Sequence, residues 1–264
     1  MMRTSNPALN DAVFRIHDVT SSTTMTLQGV VMKTAILLSI LVACAGVTWS
    51  MATQGMAAQQ AEAGIQGMQG MQAAPPNVYM YIVGGGIIGF VLAIVTSFKP
   101  KVSPYTSPLY AAAEGVFLGG ISAMFNYAYP GVVVQAVGLT FGTLFALLAA
   151  YATGVIKASE NFKLGVFAAT GGIALFYVAS MVLGLFGVHV PLINSAGPFG
   201  IAFSVFVVII AALNLVLDFD FIENGCAQGA PKYMEWYAGF GLLVTLVWLY
   251  LEILRLLVKL RGRD

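Results

Sequence analysis

Charge is what this sequence lacks. Lys and Arg number 12 and Asp and Glu 11 in 264 residues, 9% of the chain; soluble proteins average about 25%. Such a chain cannot cover a water-facing surface. The net charge of +1 comes with no basic block, which removes the electrostatic footprint of a nucleic-acid binder. Cysteine and histidine are equally scarce, two of each. Cys44 and Cys226 fall in very different segments, so neither a disulfide nor a metal site is expected. What is abundant is hydrophobicity, at 59% of residues and a mean hydropathy of +0.86. The class is therefore all-α, a polytopic membrane helix bundle whose first partner is the lipid bilayer.

A span needs about 20 mostly apolar residues. Seven segments qualify: Gly29–Ala52, Val78–Phe98, Leu109–Tyr127, Gly131–Ile156, Leu164–Val188, Phe199–Phe221, and a last one starting between Trp236 and Gly239 and ending near Leu260. The expected organisation is a polar N-terminal segment over 1–28, a seven-span domain over 29–260 and a basic tail over 261–264. The stretch 53–77, rich in Gln, Gly, Met and Ala, reads as a flexible outer loop. A cleaved signal peptide competes for the first span, because Ala61-Glu62-Ala63 has the form of a cleavage site. The long polar lead and the length of the apolar run speak against it.

Lys and Arg set the orientation. With the N-terminus cytoplasmic, Arg3, Arg15, Lys33, Lys99, Lys101, Lys157, Lys163 and Lys232 all lie inside, and the first, third and fifth connections carry neither residue type. Arg255, Lys259, Arg261 and Arg263 oppose the rule, since seven crossings put them outside. Seven crossings remain the expectation. The 29 glycines cluster within spans, and Gly115/Gly119 and Gly138/Gly142 have the small-xxx-small spacing of tightly packed membrane helices.

The informative residues are the carboxylates inside spans: Glu114, Asp218, Asp220 and Glu252. An ionised carboxylate at mid-span costs about 2.5–3.5 kcal/mol on insertion scales. Burial and a neighbouring carboxylate both favour the protonated form, so two acids sharing a site make a pH-dependent latch or a cation site that protons compete for. Asp218 and Asp220 are two residues apart, about 200° around a helix, and cannot both face one interior. Asp218 shares its face with Asn214 and is the expected inward group. Asp220 is expected at the interface beside Glu223. The bland alternative makes Asp218–Glu223 a wet helix end. Glu252 and Arg255, at i, i+3, can simply neutralise one another. Glu114 can snorkel or pair with Lys99 or Lys101.

Several chemistries are set aside. Gly120-Ile121-Ser122-Ala123 has the G-x-S form of an intramembrane protease, but His17 and His189 lie in the tail and at a helix end, leaving no intramembrane base. Haem and zinc lack ligands for the same reason, and Lys259 at a helix end is a poor retinal lysine. Neither enzyme activity nor a cofactor is expected.

Several local patterns resemble the Bax inhibitor family, the transmembrane Bax-inhibitor-motif proteins, and its bacterial members especially. Glu114-Gly115-Val116-Phe117-Leu118-Gly119-Gly120-Ile121-Ser122 resembles the family's G-x-x-L-G-P segment, with Gly120 where proline is common. Ala136-Val137-Gly138-Leu139-Thr140 matches its A-x-x-x-T. Leu217-Asp218-Phe219-Asp220-Phe221-Ile222 resembles the acidic end of its sixth helix, and Leu249-Tyr250-Leu251-Glu252-Ile253-Leu254 the start of its seventh-helix motif. The resemblance implies six helices around a central seventh, a bacterial plasma membrane, and a pH-sensitive calcium leak gated by an acidic pair between the sixth and seventh helices. Asp218 would be the sixth-helix member. Glu252 would be the seventh-helix member, although counting ten residues back from Arg255 puts that slot at Thr245. The chain also departs in an extra stretch, Gly225–Tyr233, between the two motifs.

The functional expectation is an integral membrane protein whose intramembrane carboxylates (Asp218, Glu252, Asp220 and Glu114, supported by Asn214 and Arg255) control passage of calcium or another cation. The alternative is a non-transporting regulator that binds another membrane protein, such as a quality-control protease. A third class, proton-coupled solute transport, has only the interrupted Gly84–Gly89 helix behind it.

Overall fold

The computed structural model describes residues 24–65, 76–188 and 195–262. The expected polar lead before Thr24, with His17, lies outside these residues, as do His189 and the last two residues of the tail. Seven helices among the described residues are long and apolar enough to cross a membrane. They are α1 (Leu27–Ile65), α2 (Pro76–Phe98), α3 (Ser103–Ala128), α4 (Val132–Ala152), α5 (Glu160–Leu185), α6 (Pro198–Ala227) and α7 (Met234–Arg261), with one 3-10 turn at Pro100–Val102 before α3. The protein is an all-α, seven-helix membrane bundle.

Local sequence explains the ends. Ser159 caps α5, its side chain accepting from Phe162 N–H, with Glu160 in the first turn where the helix dipole favours an acid. Pro198 opens α6, where its missing N–H costs nothing. The turn from α3 to α4 is tight because Gly131 adopts φ 82°, a left-handed conformation that its lack of Cβ permits, while its N–H bonds Asn126 Oδ1. Two boundaries differ from expectation. The stretch expected as a loop from residue 53 is helical as far as Ile65, because alanine, glutamine and methionine are strong helix formers. Helix α6 runs six residues beyond Phe221, so the Asp218–Glu223 run lies within a helix and is not a frayed end.

Helix α7 is central. In its most apolar stretch 61% of residues are buried, against 56% in α3, 50% in α6 and only 11% in α5. It touches α1, α3, α4 and α6. Tyr110 of α3 meets Phe240 of α7 edge-on, with ring centroids 4.9 Å apart. The two glycine pairs part company here. A Cβ on Gly115 would stand 2.5 Å from the Leu41 carbonyl oxygen, and one on Gly119 2.5 Å from that of Ala45, so this pair lets α1 lie directly on α3. Gly85 does the same for α2 against Phe117. Gly138 and Gly142 have nothing within 4 Å of their virtual Cβ atoms. Spacing alone could not separate the two cases, because it fixes which residues share a face and not what that face meets.

The extra stretch between α6 and α7 closes one end of the bundle. Met25 N–H donates to the Ala230 carbonyl at 2.7 Å, and Thr24 bridges Pro231. Glu235, 1% exposed, accepts from Thr26 N–H at 3.0 Å and Thr26 Oγ1 at 2.9 Å and pairs with Lys232 at 2.8 Å. Thr26 in turn accepts from Gly29 N–H, so a buried carboxylate sits on the N-terminus of α1 where the dipole favours it.

Candidate functional site

The expected carboxylates occupy four separate places. Asp218 is fully buried in α6, with Asn214 one turn earlier only 2% exposed. The Asn214 amide donates to Thr170 Oγ1 of α5 and to its own helix at the Ile210 carbonyl, each at 2.8 Å. The level of Asp218 against α7 follows from register. Lys259 Nζ donates to Ser204 Oγ at 2.8 Å and to the Gly200 carbonyl at 3.0 Å, which pins the antiparallel α6 and α7 together. Fourteen residues back along α7 and fourteen onward along α6 stand Thr245 and Asp218, which places the two within about one helical turn of the same level. Thr245 is the slot that counting from Arg255 had singled out. It brings a hydroxyl, which donates to the Gly241 carbonyl at 3.3 Å.

Glu252 lies elsewhere. It is seven residues beyond Thr245, about 10 Å farther along the axis at 1.5 Å per residue. Its carboxyl, 2% exposed as a residue, accepts from Arg255 Nη1 at 3.0 Å and 3.1 Å and from the Tyr177 hydroxyl at 3.0 Å. Arg255 also donates to the Tyr177 oxygen at 2.8 Å and stands 5.4 Å from the centre of its ring. The pairing partner of Glu252 is thus Arg255 on the same helix, reinforced by a phenol from α5. An acid and a base one turn apart neutralise each other without help from α6, and this local solution leaves Glu252 off the level of Asp218.

Asp220, on the opposite face of α6 from Asp218, forms an ion pair with Lys163 of α5 at 2.8 Å. Lys163 also reaches Glu160 at 3.4 Å, and Glu223 accepts from the Tyr151 hydroxyl of α4. Glu114 stays at the α2–α3 contact. Its carboxyl lies over Gly89, whose virtual Cβ would be 2.9 Å from Glu114 Oε1.

One pattern had not been read from the sequence. Three polar side chains tie α5 to the bundle, Lys163, Thr170 and Tyr177, at intervals of seven residues. Two helical turns separate neighbours, so all three share one face. They meet Asp220, Asn214, and Glu252 with Arg255, in that order along α6 and α7. Helix α5 is otherwise the least buried span, and a polar seam running most of the length of the bundle joins the apolar contact of Ile173 and Phe176 with Val207 and Phe203 in attaching it. Apolar side chains, Val166 and Ile173 at 4% exposure, separate the three ties. The signal was present as three polar residues in step in an apolar helix. Lys259, which the sequence places at a helix end, is buried at 5% exposure.

No curated protein and no solved structure matches the chain. A family model described as Bax inhibitor 1 like matches residues 6–262, nearly the whole length, and on that ground the chain belongs to the Bax inhibitor 1 like family.

Proposed function

We propose that this protein lets cations, calcium foremost, pass slowly down their gradient, with its intramembrane carboxylates controlling passage. The observation that carries the reading is Asp218: an acid with no exposed surface, near the level of Thr245 of the central helix, in a span made mostly of apolar side chains. Burial there costs several kcal/mol, and intramembrane acids that survive such a cost mark ion pathways and proton relays. A deprotonated Asp218 attracts a cation; protonation removes that attraction. Glu252 is held by Arg255 and Tyr177.

The N-terminus is cytoplasmic in this reading, and the membrane is a bacterial plasma membrane. The basic residues of α7 that oppose the orientation rule are engaged by the protein itself. Arg255 is bound to Glu252, Lys259 to α6, and Arg261 to the Pro130 carbonyl and Gln135 Oε1. They are not loop charges of the kind the rule counts.

Calcium flux into liposomes loaded with an indicator tests the proposal. Asp218→Asn is expected to change the flux and flatten its pH dependence, and Glu252→Gln to alter the flux in the same assay. A flux indifferent to both substitutions and to pH rejects the mechanism. A second reading, a non-transporting regulator of another membrane protein, draws on the open Gly138/Gly142 face of α4. A partner co-purifying in stoichiometric amount, with no flux in vesicles, would favour it.

A further inference from the structure

Helices α1 and α4 make almost no direct contact with each other, although both lie against α7. Between them is a cleft of about 260 Å³. Its rim is formed by Val42 and Gly46 of α1 and Val137 of α4, all exposed, Val42 by 54% and Val137 by 41%. Its floor is buried and central: Leu118 and Ser122 of α3, Leu246 and Tyr250 of α7. The cleft is therefore continuous with the lipid-facing surface of the bundle and reaches the helix at its centre.

Its chemistry limits what fills it. The wall is almost wholly apolar. The few hydroxyls on it each have a partner within the protein. Ser122 and Tyr250 bond each other at 2.6 Å, and Thr140 donates to the Ala136 carbonyl at 2.8 Å. Water needs two to four polar partners and meets a wall with almost no polar surface, while dry apolar cavities of about 150 Å³ already bind apolar guests. A protein helix is too thick, since about 10 Å across is needed with side chains. A methylene chain is thinner and is the substance on the other side of the rim. We infer that the cleft between α1 and α4 holds the hydrocarbon chain of a bilayer lipid, which completes the packing of α7 where two outer helices leave it uncovered. Lipid tails elsewhere are as apolar as the cleft, so the chain is held by dispersion contacts and shape and not by transfer from water.

The test is photo-crosslinking in vesicles of phospholipid carrying a diazirine within the acyl chain, with labelled residues mapped by mass spectrometry. Label is expected on the floor, in Leu118–Ser122 and Leu246–Tyr250, as well as on outward-facing residues. Gly46→Phe fills the cleft from its rim, and its Cβ meets nothing within 4 Å. It should cut floor labelling at least about fivefold while leaving outward labelling intact. Gly165→Phe on α5, equally unobstructed, should change neither. Val137→Phe blocks the opposite rim and serves if Gly46→Phe does not fold. Floor residues that take no label in the unaltered protein overturn the inference, whether water, a chain segment or a second copy fills the space. So does floor labelling that persists in a folded, cleft-filled variant.

Discussion

Replacing Arg255 by methionine keeps the length and apolar bulk of the side chain and removes its charge from Glu252. The Glu252 side chain is 3% exposed, so its carboxylate would remain buried with Tyr177 as its remaining neutral donor. Breaking a buried ion pair from one side typically costs about 3–5 kcal/mol. The Arg255 side chain is 38% exposed, so the pair is only half-buried, which places the expected loss at the low end, about 3 kcal/mol. Glu252→Gln should cost less, about 1 kcal/mol, because the partly exposed Arg255 side chain, six residues from the helix end, can snorkel outward and the amide keeps a hydrogen-bond partner. The double variant Glu252→Gln, Arg255→Met buries no charge and should fall close to Glu252→Gln alone. The coupling energy in the cycle is then about 3 kcal/mol. Reversible unfolding in bicelles, followed by steric trapping or by denaturant titration, reads these differences. Additive single losses, to within about 0.5 kcal/mol, would show that the two groups do not depend on each other and would refute the neutralisation of Glu252 by Arg255.

The glycine pairs should separate under substitution. Gly119→Leu drives side chain into the α1 backbone at Ala45 and should abolish folding or cost at least about 3 kcal/mol, whereas Gly138→Ala meets open space and should be neutral or slightly stabilising; equal thermal-denaturation midpoints in detergent would contradict both. Glu235→Gln should loosen the start of α1 by about 1 kcal/mol, because the carboxylate over the helix N-terminus loses its charge and its pair with Lys232. Faster amide hydrogen exchange confined to the first turns of α1 is the expected signature, and unchanged exchange there would count against the clamp.

The sequence by itself determined the class of this protein and the number of its helices. Hydrocarbon offers no partner for a backbone N–H or C=O, so each apolar run of some 20 residues has to become a helix. That constraint is local and can be read from composition. It also made Asp218, Asp220, Glu114 and Glu252 stand out, because charge in such runs is costly wherever the helix ends up. Sequence motifs carried the family as well. Partners were another matter. Spacing put Gly115/Gly119 and Gly138/Gly142 on equal terms, and only helix placement separated the pair that seats α1 from the pair that meets open space. The loop expected from residue 53 became helix because low complexity and helix-forming composition look alike until a neighbouring helix continues through them. Most of all, the tertiary structure decided which acid meets which base. A salt bridge depends on the register and rotation of two helices, set by contacts such as Lys259 on Ser204 that lie many residues from the charges concerned. That register brings Asp218 near the level of Thr245 and leaves Glu252 to Arg255 and Tyr177, and no property of either residue taken alone could have settled it.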